Sequence, residues 1–250
     1  MITKFQMSRN KLIFVLLFIV LGFFSLQIPI NKLAGSRVSF TLFDLFAPIS
    51  GAFLGSVYGM IAVFLVQGFN LLAHGMSNVD KGAIIRLFPS LFAVLYFAGG
   101  SRFYSSRERS ESRSSRQART RDNLLLLIPI LSILAFNLHP VGRTVWFYSL
   151  YWLIPLAVWP FRERFLLARA LGSTFTAHAI GGAVWIWAFS LPASVWTSLI
   201  PVVAMERLIF ALGISASYIL MNNILAYFSL KSLLPKSISF NKKYVYLKLK

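Results

Sequence analysis

Five side chains that could anchor a ligand stand inside otherwise apolar stretches of the sequence: Asp44, His178, Trp185, Glu206 and Asn222. Moving an ionisable side chain into a membrane costs roughly 2.5–3.5 kcal/mol on insertion scales, so such a residue indicates a binding or transport site. Carboxylate, imidazole, indole and amide groups are suitable anchors for a small molecule in an apolar pocket. We therefore predict that these five residues bind a substrate.

Asp44 precedes a series of small residues at helical spacing. In a helix, Asp44, Pro48, Gly51 and Gly55 would share one face, because they follow one another at intervals of four, three and four residues. Gly51, Gly55 and Gly59 would also form a small-residue ridge that lets another helix approach closely. Asp44 would then point toward protein and away from lipid. A second interpretation stays open, in which Asp44 caps a short helix near the outer surface.

A second stripe at helical spacing comprises Thr174, His178, Gly181, Gly182 and Trp185. We expect the two glycines to provide helix packing. A single histidine among small residues more often forms a hydrogen bond between helices than binds a ligand. Both roles remain open for His178.

The last apolar stretch contains Glu206 and Arg207 side by side. Adjacent residues on a helix point about 100° apart, which predicts that these two do not simply neutralise each other. Asn222 follows further along, next to Asn223. A buried asparagine can bind a polar ligand or hold helices together, and the second role is the more common.

Signatures of catalysis are absent from the sequence. It lacks the Gly-x-x-x-x-Gly-Lys-Ser/Thr loop that binds ATP phosphates and the His-Glu-x-x-His pattern of zinc enzymes. The three histidines (His74, His139 and His178) fall on separate segments, and the chain has no cysteine. We therefore predict no metal site, no cofactor and no enzymatic activity.

Composition indicates a membrane protein. Of the 250 residues, 57% are hydrophobic and 13% are charged, yet the formal net charge is +18. So few charged residues exclude a soluble globule, and the apolar content excludes a disordered chain. A strongly basic chain raises the possibility of nucleic-acid binding. The Arg- and Ser-rich segment 101–122 lacks a base-stacking platform, however, and is better explained as a flexible cytoplasmic loop near anionic lipid headgroups.

The apolar runs predict an all-α polytopic transmembrane bundle that forms a single membrane domain over 1–250. We place eight spans in order, with a tight turn near 56–59 and a break at Pro201 before the last span. Six spans are possible if some segments are re-entrant. The eight spans are 12–30, 39–55, 58–73, 84–99, 124–138, 144–160, 166–189 and 205–229.

The distribution of positive charge supports an even number of spans. With the N-terminus inside, 19 of the 25 Lys and Arg residues fall in inner segments and five in outer loops. Cytoplasmic segments of membrane proteins carry such an excess. We therefore predict that both termini are cytoplasmic, that 231–250 is a basic cytoplasmic tail, and that the protein is a multi-pass protein of the cell membrane.

Three short stretches resemble the substrate-binding (S) components of energy-coupling factor (ECF) transporters. The first runs from Thr41 to Gly59 and includes Pro-Ile-Ser-Gly-Ala-Phe-Leu-Gly-Ser-Val-Tyr-Gly, and the others lie at 177–182 and 206–213. The resemblance covers about a third of the chain. It implies uptake of a vitamin or similar micronutrient, with a transmembrane partner and two ATPases that supply the energy.

Three hypotheses follow from the sequence. The first is a membrane substrate-capture subunit with separate ATPase partners and a small-molecule ligand. The second is an autonomous secondary transporter or channel. The third is a membrane enzyme that acts on lipids, for which His139 with Arg143 or Glu206 with Arg207 are the polar pairs available.

Overall fold

The computed structural model describes residues 9–32, 39–73, 81–99, 123–231 and 240–246. The loop predicted over 101–122 and most of the tail predicted over 231–250 therefore lie outside the described residues. Within the described part, the chain is almost entirely helical. The prediction of an all-α protein is confirmed, with the addition of one small β-hairpin.

Eleven α-helices are assigned in the described part of the chain. In order, they are α1 (Arg9–Leu26), α2 (Leu42–Phe46), α3 (Ser50–Leu54), α4 (Ser56–Ala73), α5 (Lys81–Arg86), α6 (Pro89–Ala98), α7 (Leu127–Leu138), α8 (Pro140–Thr144), α9 (Ile154–Val158), α10 (Leu166–Phe189) and α11 (Ala193–Leu230). Short 3₁₀ segments occupy Ala47–Ile49, Trp146–Leu153, Trp159–Phe161 and Lys242–Tyr244. Strands β1 (Pro29–Lys32) and β2 (Ser39–Thr41) pair antiparallel between α1 and α2.

Three helical segments are long and apolar enough to cross a membrane, judged by length and composition among the described residues: Ser56–Ala73, Lys81–Ala98 and Ala193–Leu230. Three shorter apolar helical stretches accompany them, at Leu12–Leu26, Leu42–Leu54 and Leu127–Leu138. Many large apolar side chains are also exposed on the outside of the bundle, including Leu17, Phe24 and Leu212. An apolar surface of this extent is typical of contact with lipid or a partner. These features indicate a membrane protein.

Two predicted element boundaries are wrong near the N-terminus. The helix predicted over 12–30 ends at Leu26, and its last residues form β1. The turn predicted near 56–59 lies one residue earlier, at Gly55. Gly55 has a φ of 84°, a positive value that glycine adopts without the steric cost of a Cβ. The chain therefore reverses between α3 and α4 at the one glycine that has this conformation among the described residues.

The segment predicted as a span over 144–160 is not one regular helix. It comprises a 3₁₀ segment, the short α9 and a second 3₁₀ segment. Pro155 and Pro160 lie within it, and each proline removes a backbone donor that a continuous α-helix would use. The sequence pattern was apolar enough to predict a span but did not predict its backbone geometry.

Pro201 does not break the last helix, contrary to our prediction. Helix α11 continues through it over 38 residues. The turn before the proline is also held by a tertiary hydrogen bond, because the Tyr151 hydroxyl donates to the carbonyl of Ile200 at 2.9 Å. A proline within a helix is tolerated where neighbouring elements bind the backbone around the interruption.

Helix α10 lies at the centre of the bundle, where it contacts α6, α7, α9 and α11. Its contact with α6 is close because Gly172 faces the ring of Tyr96, with no room for a Cβ. Ser173 Oγ donates to the carbonyl of Ala93 at 2.8 Å, and Arg169 donates to the carbonyl of Phe97. Small and polar residues on one face of α10 thus determine how closely α10 packs against α6.

Of the glycine ridge predicted at Gly51, Gly55 and Gly59, Gly51 and Gly59 pack closely, but the chain turns at Gly55 and places them on two different helices. A Cβ on Gly51 would collide with the carbonyl oxygen of Val94, and a Cβ on Gly59 would lie 3.0 Å from the backbone of Gly51. Helices α3, α4 and α6 therefore approach through backbone contacts. Gly51 and Gly59 thus bring these three helices together, whereas the prediction of one continuous ridge on a single helix face is wrong.

We expect Gly51→Ala to lower the free energy of unfolding by about 1–3 kcal/mol, because the added methyl group overpacks a backbone contact that cannot yield. The midpoint of thermal unfolding of the purified protein in detergent measures this effect. Gly68→Ala in α4 is the matched control, since no atom lies within 4 Å of its Cβ position. The control should leave the midpoint unchanged or raise it slightly, because alanine favours helix by about 1 kcal/mol. Equal midpoints for the two variants would contradict the packing role.

Candidate functional site

A cavity of about 320 Å³ lies where three buried hydrophobic clusters meet. It is lined by residues of β2, α2, α5, α6, α10 and α11, and by the 3₁₀ segments that begin at Ala47 and Trp146. The chemically distinctive lining residues are Phe40, Asp44, Arg86, Tyr148, Thr174, His178, Trp185, Trp196, Glu206, Arg207 and Phe210. Most of the remaining lining is small or aliphatic. This combination of an apolar wall with a few polar groups is typical of a small-molecule site.

The structure brings four of the five predicted site residues to this cavity. They are Asp44, His178, Trp185 and Glu206. All five members of the predicted stripe on α10, from Thr174 to Trp185, line it as well. The stripe lies on one wall because residues three and four apart share a helix face.

Asp44 forms an ion pair at the edge of the cavity. Its Oδ2 lies 2.6 Å from Arg86 Nη2 and accepts a hydrogen bond from the backbone N–H of Thr41 at 2.7 Å. Arg86 also donates to the carbonyl of Ser39. Asp44 therefore caps the N-terminus of α2 and holds α5 against β2, while it also lines the cavity. Both interpretations considered for this residue are compatible with its position.

Asp44→Asn should loosen α5 at the rim of the cavity, because the ion pair with Arg86 is lost while an amide can still cap α2. Thermal stability should fall by no more than about 1 kcal/mol, since the pair is partly exposed to solvent. A cysteine introduced at Lys81 in α5 reports the change, because the chain has no other cysteine. We expect maleimide to label it faster in the Asp44→Asn background.

Glu163→Gln is the control for this experiment, because it removes one negative charge from the loop before α10 and leaves the Asp44–Arg86 pair intact. It should not change the labelling rate at position 81. Equal rates in the Asp44→Asn protein and the control would contradict a tether between α5 and β2.

Glu206 and Arg207 form a second ion pair, contrary to our prediction. Glu206 Oε2 lies 2.7 Å from Arg207 Nη2. The prediction considered the directions of the Cα–Cβ bonds, whereas the long arginine side chain folds back far enough to span the angle between them. Arg207 is 3% exposed and also donates to Thr174 Oγ1 at 3.3 Å. Its guanidinium carbon lies 4.8 Å from the centre of the Phe40 ring.

His178 is held by two aromatic side chains. The indole N–H of Trp152 donates to its Nδ1 at 3.0 Å, and its Nε2 lies 3.2 Å from the hydroxyl of Tyr148. Since an indole nitrogen can only donate, Nδ1 must be unprotonated and Nε2 must carry the ring proton. Tyr148 then accepts from His178 and keeps its own O–H available for another acceptor. Hydrogen bonding between elements, the more common of the two roles considered, thus describes His178 in this structure.

Aromatic rings form much of one wall. Trp196 packs edge to face on Phe136 and Tyr148, with ring centres 5.0 Å apart in both pairs. Trp185 packs against Phe189 of the same helix, with ring centres 4.4 Å apart and ring planes tilted by 31°. Edge-to-face packing fixes ring orientation and adds about 0.5–1.5 kcal/mol per pair. This wall is therefore pre-organised.

Asn222 lies apart from the cavity. Its amide donates to the carbonyl of Asn241 at 2.8 Å, and its Oδ1 accepts from the backbone N–H of the same residue at 2.6 Å. The neighbouring Asn223 binds the backbone of Tyr244 and Tyr246. Asn222 thus holds residues near the C-terminus against α11, and the structure does not bring it to the other four predicted residues.

The predicted packing glycines divide into two groups. Gly181 and Gly182 line the cavity, and Gly182 also lies against the ring of Trp152. Gly51, Gly55 and Gly59 do not line the cavity: Gly51 and Gly59 pack α3 and α4 closely, and Gly55 forms the turn between them.

Sequence reasoning missed Arg86 and Tyr148. Arg86 lies at the outer end of the span predicted over 84–99, and its partner Asp44 lies 42 residues earlier in the chain, so no local spacing connects them. Tyr148 falls in the irregular segment, where helical periodicity does not apply. A tyrosine at this position is also a weak indication of a binding site, since tyrosines are common in membrane proteins at the level of the headgroups.

The described residues offer no group of three or more His, Cys, Asp or Glu side chains that could hold a metal ion. The charged groups of the cavity are already arranged in pairs, Asp44 with Arg86 and Glu206 with Arg207. Such an arrangement can bind and orient a ligand through the atoms that the pairs leave unused.

Comparison with known proteins finds a distant similarity. The chain is 26% identical to an uncharacterized protein of Methanocaldococcus jannaschii, in an alignment that covers 97% of this chain and 84% of that protein. No protein-family model matches the chain. No solved structure gives a significant match.

Proposed function

We propose that this protein is a membrane substrate-capture subunit for a small micronutrient or vitamin-like molecule. The observation that carries the proposal is the cavity of about 320 Å³, with an aromatic wall and two ion pairs, between helices of a membrane protein. Small-molecule pockets measure roughly 300–1,000 Å³ and have mainly apolar walls with few polar anchors. In this proposal Asp44, His178, Trp185 and Glu206 are substrate-binding residues.

In the proposed topology, which rests on the distribution of Lys and Arg, this cavity lies in the outer half of the membrane. Phe40 lies just after the first outer loop, and Pro89 lies near the outer end of its span. Trp185 and Trp196 flank the outer turn between α10 and α11. The proposal therefore includes eight spans in the cell membrane, both termini in the cytoplasm, and capture of the substrate from outside.

Separate ATPase partners supply the energy in this proposal. The sequence has no phosphate-binding loop of its own, and its resemblance to ECF S components favours a complex with a transmembrane subunit and ATPases. Exposed apolar side chains on α1, such as Leu17 and Phe24, provide surface for lipid or for a transmembrane partner. No enzymatic step is part of this function.

The test is affinity purification of the tagged full-length protein from its native membrane in mild detergent. We expect nucleotide-binding ATPases to co-purify, together with ATP hydrolysis that vanadate inhibits. An unrelated tagged membrane protein of similar size is the control. Ion-gradient-driven uptake by vesicles that contain this protein alone would contradict the proposal and favour a secondary transporter.

A further inference from the structure

We infer that the cavity takes an uncharged, flat heterocycle that carries carbonyl or ring-nitrogen acceptors. This inference rests on the proposed function, because it names the chemical class of the captured molecule. Three properties of the lining residues support it: hydrogen-bond donors without acceptors, internally neutralised charges and an aromatic wall.

Two buried donors of the cavity wall lack an acceptor. The Nε of Arg207 and the Nε1 of Trp196 are buried and have no hydrogen-bond partner among the described residues. Both side chains line the cavity. A buried donor without a partner is costly, so the structure gains when an occupant offers an acceptor. Both nitrogens expose almost no area, and an acceptor therefore reaches them only as the side chains adjust around the occupant.

A third donor follows from the hydrogen bonds of His178. Because Trp152 donates to Nδ1, the proton of the imidazole is on Nε2 and points to the Tyr148 oxygen. The hydroxyl proton of Tyr148 is then free to donate, and Tyr148 lines the cavity. The indole and guanidinium donors thus lack acceptors among the described residues, and the phenol can donate one more hydrogen bond; a ligand with acceptors would satisfy all three.

The charges of the lining cancel within pairs. Arg86 lies 2.6 Å from Asp44, and Arg207 lies 2.7 Å from Glu206. With Nδ1 of His178 unprotonated, the imidazole contributes no charge. A ligand with a full charge would have to displace one partner of a pair or remain uncompensated in an apolar site. An uncharged acceptor satisfies the donors without that cost.

The shape of the wall favours a flat molecule. Five aromatic side chains line the cavity: Phe40, Tyr148, Trp185, Trp196 and Phe210. Aromatic rings stack on planar partners or meet them edge to face. A cavity of about 320 Å³ accommodates a ring system of two or three fused rings.

Three bicyclic probes of nearly equal size test this inference with the full-length protein in detergent micelles. They are 2-quinolone, which is uncharged and carries a carbonyl, quinoline-2-carboxylate, which is an anion, and N-methylquinolinium, which is a cation. Equilibrium dialysis measures binding, and protein-free micelles correct for partitioning. We expect 2-quinolone to bind at least about ten-fold more tightly than either ion. Equal or tighter binding of an ion, or no binding of any probe, would overturn the inference.

The conservative variant Trp196→Phe tests the donor itself, because it keeps a ring and removes the indole N–H. We expect it to weaken 2-quinolone binding about three- to ten-fold, the value of one neutral hydrogen bond. Tyr148→Phe removes another donor and should weaken 2-quinolone binding by the same factor. It replaces Trp196→Phe in this test if Trp196→Phe lowers the unfolding midpoint. Unchanged affinity in a well-folded variant would overturn the role of the donors. Co-purification of ATPases is independent of these results, so a wrong ligand class leaves the proposed function standing.

Discussion

Glu206→Gln is expected to lower the free energy of unfolding by about 3–5 kcal/mol, which is the cost of leaving one member of a buried ion pair without its partner. Arg207 is 3% exposed, and its other contacts in the described part of the chain, with Thr174, Phe40 and Phe210, offer no second carboxylate. A glutamine side chain is nearly isosteric with glutamate, so packing is unchanged and the loss is electrostatic. The thermal midpoint of the purified protein in detergent measures the effect.

A double variant separates charge from structure in this experiment. Glu206→Gln combined with Arg207→Met removes both charges, and replacement of a whole buried pair by neutral groups costs little. We therefore expect the double variant to recover most of the stability that Glu206→Gln loses. Asp44→Asn provides the comparison and should cost less, because the arginine side chain that it leaves unpaired, Arg86, is 19% exposed, against 4% for that of Arg207. A midpoint of Glu206→Gln equal to that of the native protein would contradict the importance of this pair.

The helix stripe and the buried charges could be predicted from the sequence because both depend on local properties. Thr174, His178 and Trp185 share a face of α10 by periodicity alone. Asp44 and Glu206 were found because a charge in an apolar run is expensive and needs a partner or a ligand. These signals do not require knowledge of the tertiary structure.

The pairing of these residues could not be predicted in the same way. Arg86 reaches Asp44 from 42 residues away, and only the packing of α5 against β2 brings them together. Arg207 reaches Glu206 through the flexibility of its side chain, which helical geometry does not describe. Asn222 lies 16 residues beyond Glu206 in the sequence, or about 24 Å along a helix axis, which is too far for one small pocket.

The backbone of the irregular region depends on long-range contacts as well. Its apolar sequence over 144–160 fits a span, but prolines and aromatic packing favour 3₁₀ turns. The sequence predicts a break at Pro201, but α11 continues through it, because the Tyr151 hydroxyl donates to the backbone carbonyl beside the proline. In both places tertiary structure outweighs the local signal.

Gly182→Ala is expected to damage both stability and ligand binding, although it adds a single methyl group. Its Cβ would lie 2.6 Å from Cζ2 of Trp152, a contact that real structures do not tolerate. Trp152 is fully buried and packs edge to face on Phe136, so its ring has little room to move. Any shift of the indole also disturbs its hydrogen bond to His178. We expect a loss of about 1–3 kcal/mol in unfolding free energy, measured by thermal unfolding in detergent.

Gly181→Ala is a closely matched control, because Gly181 is the adjacent residue and also lines the cavity. Its Cβ would lie 3.6 Å from Cγ of Pro89, an ordinary van der Waals distance. This variant should keep the native midpoint, and alanine should favour the helix slightly.

If overpacking against the indole is the cause, Trp152→Phe in the Gly182→Ala background should restore part of the stability, since the smaller ring makes room for the methyl group. It should not restore ligand affinity, because phenylalanine cannot donate to His178 and the orientation of the imidazole is lost. Recovery of both properties would show that the hydrogen bond between Trp152 and His178 does not position the site.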